Sequence, residues 1–558
     1  MSAVAKVICS VYISITQHKM RGEGTMTDTL HSARAIGATS AMTAEEKKVV
    51  LASSFGALLE WYDFYIYAAL AVQLGHLFFP KGNETAAFLA SLATFGAGFL
   101  IRPIGALFFG RLGDMVGRKK TFLVTIILMG VATVGVGLLP TYDQIGIAAT
   151  YGLVLCRLLQ GLALGGEVGG AVTYVAEHSP VNRRGAYTSS LQTTATLGLL
   201  SSIIVVFGLK LILSDAQFHD WGWRLPFVLS LLLLVVSVYF RAKLHESPTF
   251  QRMKAAGATS KAPVTESFTH AANLKYVVLL FVVAAGLGAI FGTGHFYSMF
   301  FLNKTLKVPM DDVQLLIGPA LVVVTPLYVF FGWLSDRIGR KPIMAMACLL
   351  AAVTIQPIFK GLTHYANPAL ERFLESTDIV VTARDCNFRL FAEATTECDK
   401  ITGFLTDLGV QYRSEPAAPG APTTVKIAGQ VVEGFNPDSL RKALVSAGWP
   451  SSADLSKINR PAVFGLLFVL VLYLAMVYGP MAAFMVELFP ARIRYTSLSF
   501  PFHVGAGWVG GMLSFVVTAM NVYSGNPYFG LWYPVIVSGF AFVVAICFVP
   551  ETRGRPLD

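Results

Sequence analysis

The sequence carries little charge for its length. Of its 558 residues only 14% are charged, whereas 54% are hydrophobic, and the mean hydropathy is +0.60. An average soluble domain has about 25% charged residues. The composition therefore excludes an ordinary soluble protein and predicts a chain surrounded mostly by lipid.

Several functional motifs are also missing. The six cysteines lack metal-site spacing, no G-x-x-x-x-G-K-[ST] loop is present, and no nucleophile is paired with a base. No stacked stripe of basic and aromatic residues indicates nucleic acid. We therefore expect no catalytic residue, no metal, no cofactor and no direct use of ATP.

Long apolar stretches are abundant instead. A membrane-spanning helix needs about 20 largely apolar residues, and continuous apolar runs favour helices over the alternating strands of a barrel. The sequence predicts an all-α membrane protein with twelve spans. In order, they lie near residues 49–79, 86–110, 121–140, 145–176, 186–213, 224–244, 276–302, 312–335, 342–362, 461–487, 495–522 and 528–549.

An undecapeptide occurs twice, at 110–120 and 332–342, and both copies keep G-x-L-x-D-x-x-G-R-K. Asp114 and Asp336 are 222 residues apart. A second set, Glu177, Pro180 and Arg184, recurs 310 residues later as Glu487, Pro490 and Arg494. The chain is thus a duplication of two six-helix halves. Because the two separations differ by 88, a segment of that size is inserted in the second half.

Lysine and arginine concentrate in the linkers after spans 2, 4, 6, 8 and 10. By the positive-inside rule, both undecapeptides and both chain ends are cytoplasmic, and the net charge of +10 reflects this topology. We expect a cytoplasmic tail at 1–47, a first helical bundle at 48–244, a cytoplasmic linker at 245–275, a second bundle at 276–362 and 460–550, an insert at 363–459, and a cytoplasmic C-terminus at 551–558.

The insert differs from the rest of the chain. It has nine basic and twelve acidic residues, a net charge of −3, and no spanning run. Following span 9, it is expected outside the cytoplasm. Amphipathic patterns at 398–408 and 438–447 indicate helices and 423–432 resembles a strand, which predicts a small α/β domain. Cys386 and Cys398 are expected to form a disulfide there, the alternative being two unrelated buried thiols.

The motifs resemble a known family. Twelve spans with G-x-L-x-D-x-x-G-R-K after spans 2 and 8 are similar to the major facilitator superfamily. The segments LEWYDFYIY at 59–67, RPIGALFFGRLGD at 102–114, RLLQGLALGGE at 157–167 and ESPTF at 246–250 resemble its metabolite:proton symporters. That family includes carriers of α-ketoglutarate, shikimate, citrate and proline or betaine. The resemblance implies a monomer in the bacterial inner membrane that uses the proton as coupling ion.

Four charged residues stand out inside predicted spans of the first half, where charges are costly and usually functional. Glu60 and Asp63 share a helix face, and mutual repulsion favours reversible protonation. Arg102 suits bidentate binding of a substrate carboxylate. The alternative is a structural ion pair between Arg102 and a carboxylate. Arg157 resembles the arginine that the superfamily uses in proton coupling, with helix packing as its alternative.

Further residues are candidates for the walls of a substrate cavity. Gln160, one turn after Arg157, Tyr65 and His295 are predicted to help bind the substrate, and His503, Tyr297 and Trp508 are weaker candidates. For the histidines, a hydrogen-bonded packing role is the alternative. For Tyr62, Tyr65 and Tyr67 it is aromatic packing.

The repeated segments are predicted to hold the two halves together. Their aspartates can accept bonds from a helix N-terminus or an arginine, and their glycines allow tight turns. In the family such a latch is associated with the outward-open state; the alternative is a topology signal alone. The predicted latch residues are Gly110, Asp114, Gly117, Arg118, Lys119, Glu177, Arg184, Asp336, Gly339, Arg340, Glu487 and Arg494.

Together these features predict a symporter that takes up a small, anionic metabolite with protons by alternating access. A carrier of zwitterions such as betaine or proline is an alternative, because Arg102 would still bind the carboxylate. A transporter-like nutrient receptor, with the insert as sensor, is a third possibility. It would need a signalling domain, which the short segment after Pro550 does not provide.

Overall fold

The computed structural model describes residues 44–79, 94, 96–242, 246–384, 396–418 and 420–557. The features below belong to the compact unit Lys48–Asp558, apart from the first turn of the helix Ala44–Ala69. Long helices follow the predicted spans. The main ones are Ala44–Ala69, Ala71–Phe78, Arg102–Met115, Arg118–Leu138, Ile147–Glu177, Arg184–Ile212, Leu225–Ala242, Ala271–Phe291, Met310–Ile338, Arg340–Ala366, Arg460–Leu488, Arg494–Phe502, Leu513–Ser524 and Trp532–Cys547.

Ten helices among these described residues are long and apolar enough to cross a membrane. The helices of predicted spans 1 and 2 do not meet that criterion. Ala44–Ala69 carries the carboxylates Glu60 and Asp63, which lower its hydropathy. Residues 86–93 and 95 of predicted span 2 lie outside the described residues. The mostly helical membrane fold is confirmed, and the full number of twelve spans stays a prediction.

Short helices connect the long ones. They are α-helical at Tyr142–Ile145, Asp215–Asp220, Pro248–Ala255 and Pro263–Thr269, and 3-10 at Val181–Arg183, Gly222–Arg224 and Phe529–Leu531. Spans 7 and 11 contain π-helical segments at Gly292–Tyr297, Phe301–Thr305 and His503–Gly510, with Ser298–Phe300 between the first two. Such segments mark departures from regular helix and often occur at functional sites.

Glycines allow spans 2 and 4 to pack closely. A Cβ atom on Gly161 would lie 2.2 Å from the carbonyl oxygen of Gly98, and one on Gly165 would lie 2.1 Å from that of Arg102. A side chain at either position would push the helices apart. These glycines of span 4 therefore serve helix packing.

The insert is a small α/β domain, as predicted. Its helices are Pro368–Ser376, Glu397–Asp407 and Pro437–Ser446. Its strands are β1 (Ile379–Ala383), β2 (Arg413–Pro416), β3 (Thr424–Ile427) and β4 (Gln430–Glu433). They form one sheet in the order β2-β1-β3-β4, in which β1 and β2 are parallel and the other pairs are antiparallel.

One expectation for the insert is wrong in detail. The single strand expected at 423–432 is a hairpin of β3 and β4 that turns at Ala428 and Gly429. Both turn residues have positive φ, 46° and 90°. Positive φ at both central residues is the requirement of the two-residue turn that best matches strand twist. The alanine at the first turn position concealed this turn in the sequence.

The insert is attached to the second half at the end opposite Asp336. The Tyr412 amide donates to the carbonyl of Gly525 (2.9 Å), and the Ala453 amide donates to that of Lys307 (3.1 Å). Gly409 packs against Thr305 so closely that a Cβ atom would lie 2.3 Å from its carbonyl oxygen.

Cys398 lies in the insert and is disulfide-bonded, whereas Cys156, Cys348 and Cys547 are free. Cys386 lies outside the described residues. Its predicted pairing with Cys398 therefore stays a prediction.

Candidate functional site

A cavity lies between the two halves, and we call it the central cavity. Its walls combine aromatic rings with a few buried charged and polar side chains. From the first half they include Glu60, Trp61, Phe99, Arg102, Glu167 and Gln192; from the second half they include Phe291, Tyr478, Phe502 and His503. A mostly apolar cavity with a few polar groups is typical of a small-molecule site.

Arg102 is placed in this cavity by the start of the helix Arg102–Met115, where Pro103 follows it. The side chain is buried, and its guanidinium lies over the rings of Phe99 (4.0 Å) and Phe64 (4.7 Å). Its Nε and Nη2 atoms have no hydrogen-bond partner. Two unsatisfied donors on a buried guanidinium are costly, and an incoming anion would satisfy them.

The alternative role of Arg102 was a structural pair with a carboxylate. Within the part of the chain that the structure describes, no ion pair joins Arg102 to Asp63 or Glu60. Asp63 instead accepts a hydrogen bond of 2.5 Å from Ser230 Oγ on span 6. The structural pair is therefore absent, and Arg102 faces the cavity without it.

Arg157 and Gln160 form a polar chain beside Asp63. Arg157 Nη1 donates to Gln160 Oε1 (2.6 Å), and Gln160 Nε2 donates to Thr133 Oγ1 (2.7 Å). Thr133 also contacts Asp63. Gln160 is thus tied to Arg157 and does not line the central cavity, where we had expected it to bind substrate. These side-chain contacts, through Gln160 and Thr133, connect the predicted proton-coupling residues Arg157 and Asp63.

Glu60 has a different set of partners. Arg241 Nη2 lies 3.1 Å from Glu60 Oε1 and 2.9 Å from Glu167 Oε1. The sequence analysis assigned no site role to Glu167, and it counted Arg241 only among the basic residues that indicate the topology. A signal was present, because each is a charged residue within a predicted apolar span.

The other candidates are divided between the cavity and its surroundings. Tyr65 stacks on Trp61, which lines the cavity, with ring centroids 5.6 Å apart. His295 packs against Phe291 at 5.0 Å but is not part of the lining. His503 does line it, and its Nε2 atom is unsatisfied. The structure therefore places His503, more than His295, at the second wall.

The two remaining wall candidates have other contacts. The Tyr297 hydroxyl accepts a hydrogen bond from Asn521, and Trp508 Nε1 lies 3.4 Å from the carbonyl oxygen of Leu100. Neither is among the residues that line the central cavity.

The predicted latch joins the halves at the end predicted to be cytoplasmic. Asp114, at the end of span 2, accepts bonds from the first turn of span 11: Tyr495 N (3.2 Å), Thr496 N (2.9 Å) and Thr496 Oγ1 (2.8 Å). Arg118 pairs with Asp114 at 3.3 Å. A carboxylate at a helix N-terminus is stabilised by the free amides there and by the helix dipole. Gly110 packs directly against Thr496.

The second copy makes the equivalent contacts, but its aspartate belongs to the second half and the helix that it caps belongs to the first half. Asp336, at the end of span 8, accepts bonds from Gly185 N (2.8 Å) and Ala186 N (2.9 Å) in the first turn of span 5. Arg340 pairs with Asp336 at 2.6 Å. Each half thus caps a helix of the other half.

The glutamates and arginines of the second repeat connect the halves crosswise. Arg494 Nη1 lies 2.8 Å from Glu177 Oε1, and Arg184 Nη1 lies 2.8 Å from Glu487 Oε1. All four side chains are buried. Each glutamate thus pairs with the arginine of the opposite repeat, so the predicted companion residues of the latch connect one half to the other.

A third repeated pair, which the sequence analysis missed, supports the latch. The Glu246 carboxylate accepts bonds from the amides of Arg118 (3.1 Å) and Lys119 (3.2 Å), which begin span 3. In the second half, Glu551 accepts bonds from the amides of Arg340 (2.9 Å) and Lys341 (3.1 Å), which begin span 9. The signal was the pattern Glu-Ser at 246–247 and Glu-Thr at 551–552.

The glycines before these two helix starts are required by the same contacts. Gly117 and Gly339 have φ of 132° and 105°, which other residues rarely adopt. A Cβ atom at either position would lie 2.4 Å from a carboxylate oxygen, of Glu246 or Glu551 respectively. Only glycine leaves room for the cap.

Comparison with known sequences identifies similar proteins. A family model for sugar (and other) transporters matches residues 49–273. The inner membrane metabolite transport protein YhjE of Escherichia coli (strain K12) is 30% identical over 515 residues, 91% of this chain and 95% of that protein. The alpha-ketoglutarate permease of Escherichia coli (strain K12) is 34% identical over 338 residues, 59% of this chain and 75% of that protein.

A proline/betaine transporter of Escherichia coli (strain K12) is 36% identical over 326 residues. That match covers 56% of this chain and 64% of the transporter, less than two thirds of it. Among solved structures, the proton:xylose symporter XylE bound to 6-bromo-6-deoxy-D-glucose has a TM-score of 0.60 at 16% identity. That match covers 92% of this chain and 98% of XylE, and at this identity it shows a shared fold. All these similar proteins are transporters rather than enzymes.

Proposed function

Because the chain belongs to the major facilitator superfamily, in its metabolite:proton symporter family, we propose that it takes up a small carboxylate-bearing metabolite together with protons. Transport occurs by alternating access across the bacterial inner membrane. The substrate occupies the central cavity, where both halves contribute walls. No cofactor is required, since the proton supplies the driving force.

The observation that carries this proposal is the state of Arg102. Its guanidinium is buried in the cavity with two unsatisfied nitrogen atoms, Nε and Nη2. Guanidinium groups bind carboxylates through two parallel hydrogen bonds, which fixes the orientation of the bound group. The unsatisfied Nε2 of His503 on the opposite half offers a further polar contact, or a donor in the other tautomer. A substrate that contacts both residues would draw the halves together.

Asp63 is proposed to carry a coupled proton. It is 6% exposed and its Oδ1 contacts the Ser230 hydroxyl. In the described residues it has no arginine or lysine partner within ion-pair distance. A buried carboxylate without such a partner favours its neutral form. Arg157, connected to it through Gln160 and Thr133, is proposed to respond to that proton.

The latch is proposed to set the alternation between states. Its contacts between Asp114 and span 11, and between Asp336 and span 5, can exist only when this end is closed. Opening must replace them with contacts to water. The latch therefore favours the state that is closed at the predicted cytoplasmic end, the outward-facing one.

A zwitterionic substrate, such as proline or betaine, is a second candidate that the cavity walls favour. Aromatic rings of Trp61, Phe99, Phe291, Tyr478 and Phe502 line the cavity together with Glu60 and Glu167. Aromatic faces attract alkylated ammonium groups, while Arg102 would bind the carboxylate.

Uptake into proteoliposomes tests the proposal. Radiolabelled dicarboxylates, tricarboxylates, proline and betaine are each supplied with and without an imposed pH gradient. We expect at least one carboxylate to accumulate only when the outside is acidic, and Arg102→Ala to abolish its binding. The matched control is Lys120→Ala, an exposed cation outside the cavity. Accumulation that is independent of the pH gradient, or that is unchanged in the Arg102→Ala variant, would contradict the proposal.

A further inference from the structure

Glu60, Glu167 and Arg241 form a buried triad at the edge of the central cavity. One nitrogen, Arg241 Nη2, lies 3.1 Å from Glu60 Oε1 and 2.9 Å from Glu167 Oε1. The side chains of the three residues are at most 5% exposed. The two carboxylates therefore meet on a single guanidinium nitrogen, out of contact with bulk water.

The surroundings hold the triad in place. The Arg241 guanidinium lies 3.5 Å from the centre of the Phe122 ring and donates to the Phe122 carbonyl (3.3 Å). Thr125 Oγ1 donates to Glu167 Oε2 (2.9 Å). Gly56 makes room for the arginine, because a Cβ atom there would lie 2.2 Å from Arg241 Nη2. Four helices thus direct polar groups to this point.

The charges of the triad do not balance if both glutamates are ionised. One guanidinium then faces two carboxylates, which leaves a net negative charge in a buried site. The other charged or titratable groups around it are Arg102 on span 2, Tyr478 on span 10, and Tyr495 and His503 on span 11. In the described residues, Arg102 makes no ion pair with either glutamate. Burial of an uncompensated charge is strongly unfavourable, and two carboxylates that share a site avoid it by retaining one proton.

We propose that Glu60 and Glu167 share one proton above Arg241, so that Glu167 is a proton-coupling residue separate from the Asp63 site. This inference rests on the proposed function as a proton symporter. The proton comes from water on one side of the membrane, binds a carboxylate oxygen of the pair, and returns to water on the other side. No other bond forms or breaks.

The position of the triad explains how it would couple to the substrate. Glu60, Glu167 and Arg102 all line the same cavity. An anion bound at the unsatisfied Nε and Nη2 atoms of Arg102 raises the negative potential at both glutamates. A bound anion therefore favours retention of the shared proton, and the proton favours binding of the anion by the same factor.

Infrared spectroscopy of the purified, reconstituted protein tests the shared proton without any substrate. A protonated carboxyl group has its own carbonyl band, and as the pH is raised the wild-type protein should lose one such band for the glutamate pair besides that of Asp63. We expect Glu60→Gln and Glu167→Gln each to remove this same band, because either change leaves a neutral pair of one glutamate and Arg241. Asp63→Asn should leave the band in place. Glu415→Gln, which changes an exposed carboxylate of the insert, is the negative control.

Transport stoichiometry provides the second measurement. Either single substitution should lower the number of protons moved per substrate by one, and the losses should not add to one another. The inference is overturned if both variants keep the wild-type band, or if both keep the wild-type proton number. If either Glu60→Gln or Glu167→Gln fails to insert into the membrane, the other variant alone tests the inference, because loss of either glutamate should remove the shared proton. Failure to transport any carboxylate would count against the proposed function alone, since the infrared result needs no transport.

Discussion

Replacement of Asp114 by alanine tests the latch most directly. The carboxylate accepts three hydrogen bonds from the opposite half, from Tyr495 N, Thr496 N and Thr496 Oγ1, at 2.8 to 3.2 Å. When the halves separate at this end, water replaces those partners. Each exchanged bond contributes about 0.5 to 1.5 kcal/mol net. The three together favour the closed state by about 1.5 to 4.5 kcal/mol, which corresponds to a shift of roughly 10- to 2000-fold.

The assay needs a reporter inside the central cavity. Val168 lines the cavity and carries no charge, so Val168→Cys in a background that lacks Cys9, Cys156, Cys348 and Cys547 is suitable. A membrane-impermeant thiol reagent is applied from either side in vesicles of known orientation. In Asp114→Ala we expect faster labelling from the predicted cytoplasmic side, slower labelling from the other side, slower transport and near-normal substrate binding.

Two further variants make the experiment specific. Asp336→Ala should shift labelling in the same direction but by less, because Asp336 accepts two bonds from the opposite half, from Gly185 N and Ala186 N. Lys120→Ala, at an exposed position of the same undecapeptide, should leave the labelling rates unchanged. If Asp114→Ala also leaves both rates at the wild-type value, the aspartate does not hold the halves together and the latch assignment fails.

The remaining predictions concern the proton site, the substrate site, a helix cap and the insert. Asp63→Asn should abolish uphill accumulation but retain downhill exchange, because the amide mimics the protonated acid; normal accumulation under a pH gradient would contradict this. Arg102→Lys should weaken substrate binding at least tenfold, since bidentate geometry is lost; a wild-type Kd would reduce Arg102 to a generic charge. Gly117→Ala should destabilise the protein by about 1 to 3 kcal/mol because its φ is 132°, and an unaltered Tm would show that the turn tolerates a side chain. A short polar linker in place of the insert should preserve membrane insertion and partial transport, and non-reducing mass spectrometry of the intact protein should find the Cys386–Cys398 peptide; free thiols at both positions would refute the bridge.

The latch shows what repetition in the sequence can and cannot predict. The two copies around Asp114 and Asp336 identified the duplication, the sites of helix capping and the requirement for Gly117 and Gly339. They could not predict the partners. Glu177 and Arg494 lie 317 residues apart, and the choice between this pair and Glu177 with Arg184 depends on how the halves face each other. Sequence spacing favours the local pair, whereas the fold makes the distant one.

The central cavity shows a different limit. Charges inside apolar runs identified Glu60, Asp63, Arg102 and Arg157, because each is costly in lipid and needs a reason to be there. The same argument applied to Arg241, yet its place near a predicted helix end made it look like a topology signal. Its guanidinium turns inward because Gly56 leaves space for it. A single glycine that leaves space for a side chain of another helix produces no periodic pattern in the sequence. The inward direction of Arg241 could therefore not be predicted.

The crosswise geometry of the latch also explains why its two copies must act together. Asp114 and Glu177 belong to the first half and bind span 11, whereas Asp336 and Glu487 belong to the second half and bind span 5. Because each half both supplies and receives carboxylates, neither set can be released without separating the same two surfaces. The free energies of the two sets therefore add to one opening step. Under the proposed function, substrate and protons bound in the central cavity would act on that same step, since its walls also come from both halves.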